Sequence, residues 1–478
     1  MISFLLLEDD PDEAKIILEI LNPHSVKHII NFKEMSEVCL NDELFFDYAI
    51  LDLNIPESFI SLSPSESNGI KAFREFRKAF PGTPILILTG SHSNEHFREM
   101  INQGTSCKIW GHTDIKTVDY LRKNELELLD GIINNIVLEV NRVNDVVIST
   151  DDLSIDISQF DIRNKRIFSI ITNKLNGFRA VVSPISPGYS GAKIHLLDIQ
   201  NENKHTLSKV IVKSGSYEKI EEESHNYNTY VVSRLNHTKF PPKLDLSKYG
   251  ARNLYSIYYK WLDNRKNKSL FDFVDNDDFS QEKLKLCFEL TSEWRDTSSQ
   301  ELCNIEDIRR LFLSDELLEE ITSKFNMKWP ATFEKRRVCF TMAICHGDFH
   351  AGNIFINADE NACSIIDYGD IKKAPISFDA ICLELGFLYN KDSKISTWFD
   401  WISCENWAFK DKCFQKPSKL LKLVSIRDWA YSLVEEKEFL ATAYCYIIRQ
   451  LKFSDVQEEK LSETLAILDG IYNRFNEI

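Results

Sequence analysis

The apolar residues of the first 141 positions fall into short runs separated by amphipathic stretches. Ile2–Leu7, Tyr48–Leu53 and Pro84–Leu88 are short and dominated by apolar residues, so they read as buried strands. Glu13–Leu21 and Ile70–Phe80 carry apolar residues at helical spacing. Apolar strands alternating with helices predict a doubly wound α/β domain, its parallel sheet covered on both faces. In such sheets the functional loops lie at the carboxyl ends of the strands. Glu8, Asp9, Asp10, Asp52 and Thr89 all fall at those ends. A helix over Asn124–Val140, with Leu126, Leu129, Ile133, Ile136 and Val140 on one face, closes this part.

The pattern changes after that helix. Asn144–Asp161 is polar and acidic with weak periodicity, which marks a boundary. A helix over Arg163–Leu175 then leads into strand-like segments at Arg179–Ile185, Ala192–Ile199 and Ser208–Lys213. Helical patterns dominate beyond about residue 280, apart from a strand-rich island near 340–370. The expected layout is one domain over 1–141, a linker over 142–161 and a second domain over 162–478. That second domain divides into a small lobe at about 177–262 and a helical lobe at about 263–478.

Composition narrows the function classes. The chain has 478 residues, 43% of them hydrophobic and 27% charged, which is ordinary for globular domains. A formal net charge of −16 argues against nucleic-acid binding, which needs a basic surface. The eleven cysteines lack CxxC spacing and read as reduced thiols, not as a disulfide framework or zinc site. With no signal-peptide pattern and no apolar run of membrane-spanning length, the expectation is a soluble cytoplasmic protein with no membrane insertion.

Two constellations carry chemistry. The first is His346-Gly-Asp348-Phe-His-Ala-Gly-Asn353, followed by Ile365-Ile366-Asp367-Tyr368-Gly369. Phosphoryl transfer asks a protein mainly for positioning and charge stabilisation. Asp348 is placed to face an acceptor hydroxyl, while Asn353 and Asp367 offer hard oxygens to Mg²⁺ from separate elements. His346 and His350 have no third ligand nearby in sequence, so loop packing is the better reading for them. Upstream, Gly188 and Gly191 lie in a glycine-containing loop suited to approach phosphate oxygens. Lys213 ends a strand, and Glu223 on the following Glu218–Val232 helix is the best candidate to orient it, although Glu222 also fits the helical register. Tyr258–Leu262 is a candidate adenine-binding hinge. The helical segment 281–335 and the aromatic Trp398–Trp407 read equally as the walls of an acceptor pocket or as aromatic side chains that pack helices together, which leaves the substrate open.

These residues resemble the aminoglycoside phosphotransferase and choline-kinase-like branch of the kinase superfamily, over roughly residues 177–450. The resemblance implies a bilobal α+β protein-kinase-like fold and an ATP- and Mg²⁺-dependent phosphotransferase. It also implies Asp348 as general base, Asn353 and Asp367 as metal ligands, Lys213 on the α- and β-phosphates, and Asp379 as a brace for the catalytic loop.

The second constellation lies in the first domain. Glu8, Asp9 and Asp52 can share one divalent cation, which offsets their repulsion and makes Asp52 a usable nucleophile towards a phosphoryl donor. Leu6-Leu-Glu-Asp-Asp-Pro11 and Leu51-Asp52-Leu-Asn-Ile-Pro56 resemble response-regulator receiver domains, of flavodoxin-like fold. The resemblance implies Asp52 as phosphoacceptor, Thr89 as the hydroxyl that engages the phosphoryl group, and an upstream sensor histidine kinase. It also requires a lysine after the last strand. Usual spacing from Gly104 puts Gly111 there, whereas Val118-Asp-Tyr-Leu-Arg-Lys123 fits the strand–lysine–helix pattern better. Lys123 is the choice, and it implies an insertion near 105–117, besides a serine-rich one near Glu57–Ser67. The expected whole is a receiver that regulates a phosphotransferase of unknown acceptor. The alternative is a nucleotide-binding pseudokinase scaffold recruited through the receiver.

Overall fold

The computed structural model describes residues 1–60, 63–90, 95–151, 156–184, 193–261, 267–271, 281–357, 362–390, 402–414 and 421–478. Its contacts divide the chain into two units, Met1–Glu221 with Lys243–Leu262, and Glu222–Pro242 with Asp263–Ile478.

The first unit opens with strands whose alternate residues feed two different cores. β1 (Ser3–Leu7), β3 (Tyr48–Asp52) and β4 (Ile85–Thr89) send Leu5, Leu7, Ala49, Leu51, Ile85 and Ile87 to one face of their sheet. Phe4, Leu6, Tyr48, Ile50, Leu86 and Leu88 go to the other. This period of two, buried on both sides, explains why the strands read as unbroken apolar runs. Helices α2 (Phe32–Leu40) and α3 (Glu66–Ala79) cover the first face through Met35, Val38, Phe73 and Phe76. Helices α1 (Pro11–Leu21) and α5 (Leu129–Asn144) cover the second through Ile17, Leu21, Ile133, Ile136 and Val140. With β2 (Ser25–Ile29) and β7 (Val118–Arg122) at the edges, the sheet is five-stranded, all parallel and ordered β2-β1-β3-β4-β7. Helix α4 (Glu95–Asn102) precedes a hairpin of β5 (Ser106–Cys107) and β6 (Ile115–Lys116) within the predicted insertion.

α1 starts where its sequence says it should. Asp10 accepts from the amides of Asp12 and Glu13, and Pro11 occupies the first turn, where a missing N–H costs nothing. The helix expected over Asn124–Val140 is a 3₁₀ segment, Lys123–Leu128, followed by α5 out to Asn144.

The same unit contains a six-stranded sheet ordered β12-β13-β11-β10-β9-β8. It comprises β8 (Val147–Ser149), β9 (Arg179–Pro184), β10 (Lys193–Gln200), β11 (Thr206–Gly215), β12 (Lys243–Ser247) and β13 (Tyr255–Lys260). β8 lies inside the acidic stretch read as linker and pairs with β9 in parallel, while the other pairs are antiparallel. Helix α6 (Ile162–Lys174) packs Ile167, Phe168 and Ile171 on Val182, Leu197, Val210 and Val212.

The second unit begins within α7 (Tyr217–Asn226), after which Tyr227–Val232 forms a π-helical turn in place of a continued α-helix. Its strands frame the His346–Asn353 segment: β16 (Arg337–Cys345) lies between β15 (Ser299–Asn304) and β19 (Lys372–Pro375). β17 (Ile354–Asn357) pairs with β18 (Ala362–Ile365), and β14 (Asn267–Ser269) flanks β17. Helices Phe378–Tyr389 and Glu436–Gln450 are almost wholly buried and form the core of this unit. Among the described residues no helix is long and apolar enough to cross a membrane.

Candidate active sites

In the first unit, parallel pairing of β1 with β3 brings Glu8, Asp9 and Asp52 together at the carboxyl ends of their strands. One carboxylate oxygen from each lies within 4.8 Å of the others. Glu8 and Asp52 are fully buried, and Asp9 is partly exposed. Burial, reinforced by the charge of Asp52, pushes the Glu8 carboxyl up to about 7. Burial also raises Asp52 and Asp9 above the usual carboxylate range. Three clustered hard oxygens suit a divalent cation such as Mg²⁺.

Lys123 Nζ lies 3.0 Å from Asp52 Oδ2 and 3.0 Å from Glu8 Oε2, and it also bonds Glu13. Burial disfavours its charge, but Asp52, Glu13 and Glu8 together raise its pKa. The structure therefore places Lys123 among the carboxylates, whereas Gly111 lies next to Asn173 of α6. Thr89 ends β4 and is buried. Glu13 was not singled out from the sequence; its position on the first turn of α1 was the signal available.

In the second unit, β16 delivers the His346–Asn353 loop, whose main chain is tied down. The His346 and Gly347 amides donate to the Asp379 carboxylate at 2.9 and 3.1 Å. His346 Nε2 is 3.1 Å from the Ile366 carbonyl, so the imidazole links the loop to the strand end before Asp367. Gly347 has φ +80°, and a Cβ there would stand 2.2 Å from the Asp370 carbonyl oxygen. Only glycine fits that close approach. The His350 amide donates to the Asp348 carbonyl at 2.9 Å, and Asn353 Nδ2 donates to the same oxygen at 2.9 Å. That bond occupies the amide nitrogen of Asn353 and leaves its Oδ1 as the atom to offer a cation.

Asp348 and Asn353 are thus joined across the loop, and the Ile366 amide donates to the Asn353 carbonyl at 3.0 Å, connecting loop to hairpin. Asp367 follows at φ +69°, an uncommon conformation for a non-glycine residue. Asn226 Nδ2 donates to the carbonyls of Tyr368 and Gly369 at 3.0 and 3.1 Å, and so steadies the turn after Asp367. Arg449 Nη1 reaches the Gly347 carbonyl at 3.4 Å. Sequence reasoning missed both Asn226 and Arg449. For Arg449 a signal existed, a basic residue at the end of the apolar run Tyr444–Ile448; for Asn226 none did. His350 Nδ1 accepts from the Gly352 amide at 3.0 Å, a loop-packing role.

Lys213 lies on β11 and Glu223 on α7, both buried, the first in the first unit and the second in the other. Gly188, Gly191, Leu262 and Trp398–Trp401 lie outside the described residues.

Asp379 gives a direct test of the brace. Asp379→Ala strips acceptors from two buried amides, each costing about 1–3 kcal/mol. Urea unfolding followed by fluorescence should show that loss, with Asp379→Asn intermediate because one acceptor oxygen remains. An alanine variant as stable as the parent would show that the brace is not needed.

Both parts of the chain are similar to known proteins. Residues 280–389 match the model of the phosphotransferase enzyme family, APH. A CheY-like response-regulator receiver domain protein from Methanospirillum hungatei JF-1 is similar over 30% of this chain and 98% of its own, at 20% identity and TM-score 0.22. An aminoglycoside-3'-phosphotransferase of type VIII is similar over 57% of this chain and 93% of its own, at 14% identity and TM-score 0.34. A glucosamine kinase, solved with glucosamine, ADP and inorganic phosphate, is similar over 66% of this chain and 87% of its own, at 10% identity and TM-score 0.37. No curated protein matches the chain.

Proposed function

We propose that the chain is a signalling phosphotransferase, in which a phosphorylatable receiver regulates ATP- and Mg²⁺-dependent phosphoryl transfer. The observation that carries the enzymatic half is the His346–Asn353 loop, in which the partly exposed Asp348 has its carbonyl held by Asn353 and His350, while Asp379 holds the His346 and Gly347 amides just before it. Its family match over residues 280–389 supports the same chemistry.

In this reading Asp348 accepts the proton of the attacking hydroxyl as the general base. Asn353 and Asp367 would hold Mg²⁺, which would neutralise charge on the transferred phosphate. Lys213 engages the α- and β-phosphates and Glu223 orients it, assignments that rest on sequence position. In the receiver, Glu8, Asp9 and Asp52 would hold a second Mg²⁺, which would offset their mutual repulsion. A carboxylate oxygen of Asp52 attacks the phosphorus of a donor phosphohistidine, forming an acyl phosphate as the N–P bond breaks and the histidine leaves, with Lys123 and Thr89 beside the phosphoryl oxygens. The donor partner in this reading is a sensor histidine kinase, and the acceptor is a small molecule or protein hydroxyl.

Labelled Mg-ATP, alone and with candidate acceptors, tests the enzymatic half. Transfer or hydrolysis that needs Mg²⁺ is the expected result. Tight Mg-ATP binding with no turnover on any acceptor would favour a scaffold that recruits partners. For the receiver, label from a small-molecule phosphodonor is expected on Asp52 and should vanish in Asp52→Asn. Label retained by that variant would refute Asp52 as the acceptor.

A further inference from the structure

The phosphorylation chemistry sits at the carboxyl ends of the receiver strands, but the small lobe is fastened to the opposite end. Four attachments, all within the first unit, reach the loops that precede β3, β4 and β7. Arg252, 2% exposed, donates to the carbonyls of Asn41 and Asp42, pairs with Asp42 Oδ1 at 3.1 Å and stacks 4.5 Å from the Phe80 ring centroid. Its own carbonyl accepts from the Gly82 amide at 2.5 Å, and the Gly250 amide donates to the Gly82 carbonyl at 2.8 Å. Arg166 of α6 pairs with the buried Asp47 at 2.8 Å. Asn173 Nδ2, also on α6, donates to the Trp110 carbonyl at 2.7 Å.

Trp110 belongs to the 105–117 insertion and is fully buried. The same insertion grips α5. Glu139, 1% exposed, accepts from the amides of His112 and Thr113 at 3.1 and 3.2 Å and from the Thr113 hydroxyl at 3.0 Å. Thus one short segment holds α5 on one side and α6 on the other.

These contacts form a continuous route. Lys123, bonded to Asp52, begins the 3₁₀ segment that runs into α5. The sixteen residues of α5 span about 24 Å towards the other end of the sheet. Near the far end Glu139 meets the insertion, Trp110 meets Asn173, and α6 packs on Val210 and Val212 of β11. Lys213 is the next residue of that strand.

We infer that the 105–117 insertion is a clasp that makes the amino-end face of the receiver a fixed docking surface for the small lobe, and that it carries the state of Asp52 to the strand of Lys213. A receiver so attached does not signal by release from its output domain. It signals by movement of α5 passed through Glu139 and Asn173, with its carboxyl-end face left to the phosphodonor. This rests on the reading of Asp52 as a regulatory input.

The test uses the full chain, beryllium fluoride with Mg²⁺ as the phosphoryl analogue, and binding of a fluorescent ATP analogue as readout. In the parent, the analogue at Asp52 is expected to change nucleotide affinity by about fivefold or more, and nucleotide should change beryllium fluoride affinity by the same factor. In Thr113→Val/Glu139→Gln and in Asn173→Ala that change should fall below about twofold, with beryllium fluoride still bound. Thr113→Val alone removes one bond at an exposed residue, so it guards against misfolding of the others and should give a partial loss. Full coupling in these variants overturns the clasp while leaving the input reading intact. A parent that binds beryllium fluoride without any change in nucleotide affinity overturns both. Catalysis is not needed for this readout, so a failed phosphotransferase assignment would be seen separately.

Discussion

Asp348→Ala is expected to lower Mg-ATP-dependent phosphoryl transfer by about 10²–10⁴-fold, the usual contribution of a positioned general base. The fold should barely notice the change. The Asp348 side chain keeps about a quarter of its surface exposed, 26%, and the loop bonds around it are made by its carbonyl oxygen. Alanine preserves that carbonyl, so the contacts from His350 and Asn353 survive. Stability should therefore fall by about 1 kcal/mol or less, a typical cost for a single substitution. Nucleotide affinity should also hold, because Asn353 and Asp367 are untouched. Measured together, thermal melting, nucleotide binding and turnover separate a chemical loss from a structural one. Turnover that persists in a well-folded Asp348→Ala protein would remove Asp348 from the mechanism.

The loop's candidate residues were legible in its sequence, while the bonds that support them were only partly so. Asp348, Asn353 and Asp367 stand at a spacing that a strand–loop–hairpin imposes, and the structure joins the first two directly through Asn353 Nδ2. Asn226 comes from more than a hundred residues upstream, with |i−j| of 142 to Tyr368, and no local pattern announces such a bond. The receiver shows the same division. Its three central strands are buried on both faces, so they appear as apolar runs. The edge strand β2 is SVKHI, mostly solvent-facing, and its sequence carries no comparable run. β8 is three residues long, too short for periodicity to register, and so it vanished into a polar stretch.

Lys123 shows how a structural constraint settles an ambiguous alignment. Counting from Gly104 favoured Gly111, but the strand pattern Val118–Arg122 favoured Lys123, and β7 delivers Lys123 to Asp52. The intervening residues needed somewhere to go. They form the β5–β6 hairpin and bury Ile109 and Trp110, which the sequence marked only as an interruption. An insertion reads as a disturbance when only the motif is considered, yet this one precedes β7, at the end of the sheet away from Asp52. Its buried tryptophan and its bonds to Glu139 and Asn173 give it a structural role instead.

The largest stability effect is expected away from either site, at Glu384→Ala. Glu384 lies on the Phe378–Tyr389 helix, and both it and Arg427 are 1% exposed. Arg427 donates through Nε to Glu384 Oε2 at 2.6 Å and through Nη2 to Oε1 at 2.5 Å, while its Nη1 reaches the Trp407 carbonyl at 2.9 Å. Trp407 Nε1 completes the set, 3.2 Å from Glu384 Oε1, and the guanidinium carbon stands 4.1 Å from the Trp407 ring centroid. Burial alone would disfavour the arginine's charge, but Glu384 more than offsets it. Removing the carboxylate leaves a guanidinium charged and buried, which costs about 3–5 kcal/mol. A chain of two units need not unfold in one step, so the loss should be read as a lower urea midpoint of the transition that reports Trp407. The pair Glu384→Leu/Arg427→Met removes both charges and should recover much of the loss, since matched apolar replacement of a buried ion pair is often near neutral. If the double variant is as unstable as Glu384→Ala, the cost comes from lost packing around Trp407 and not from an orphaned charge.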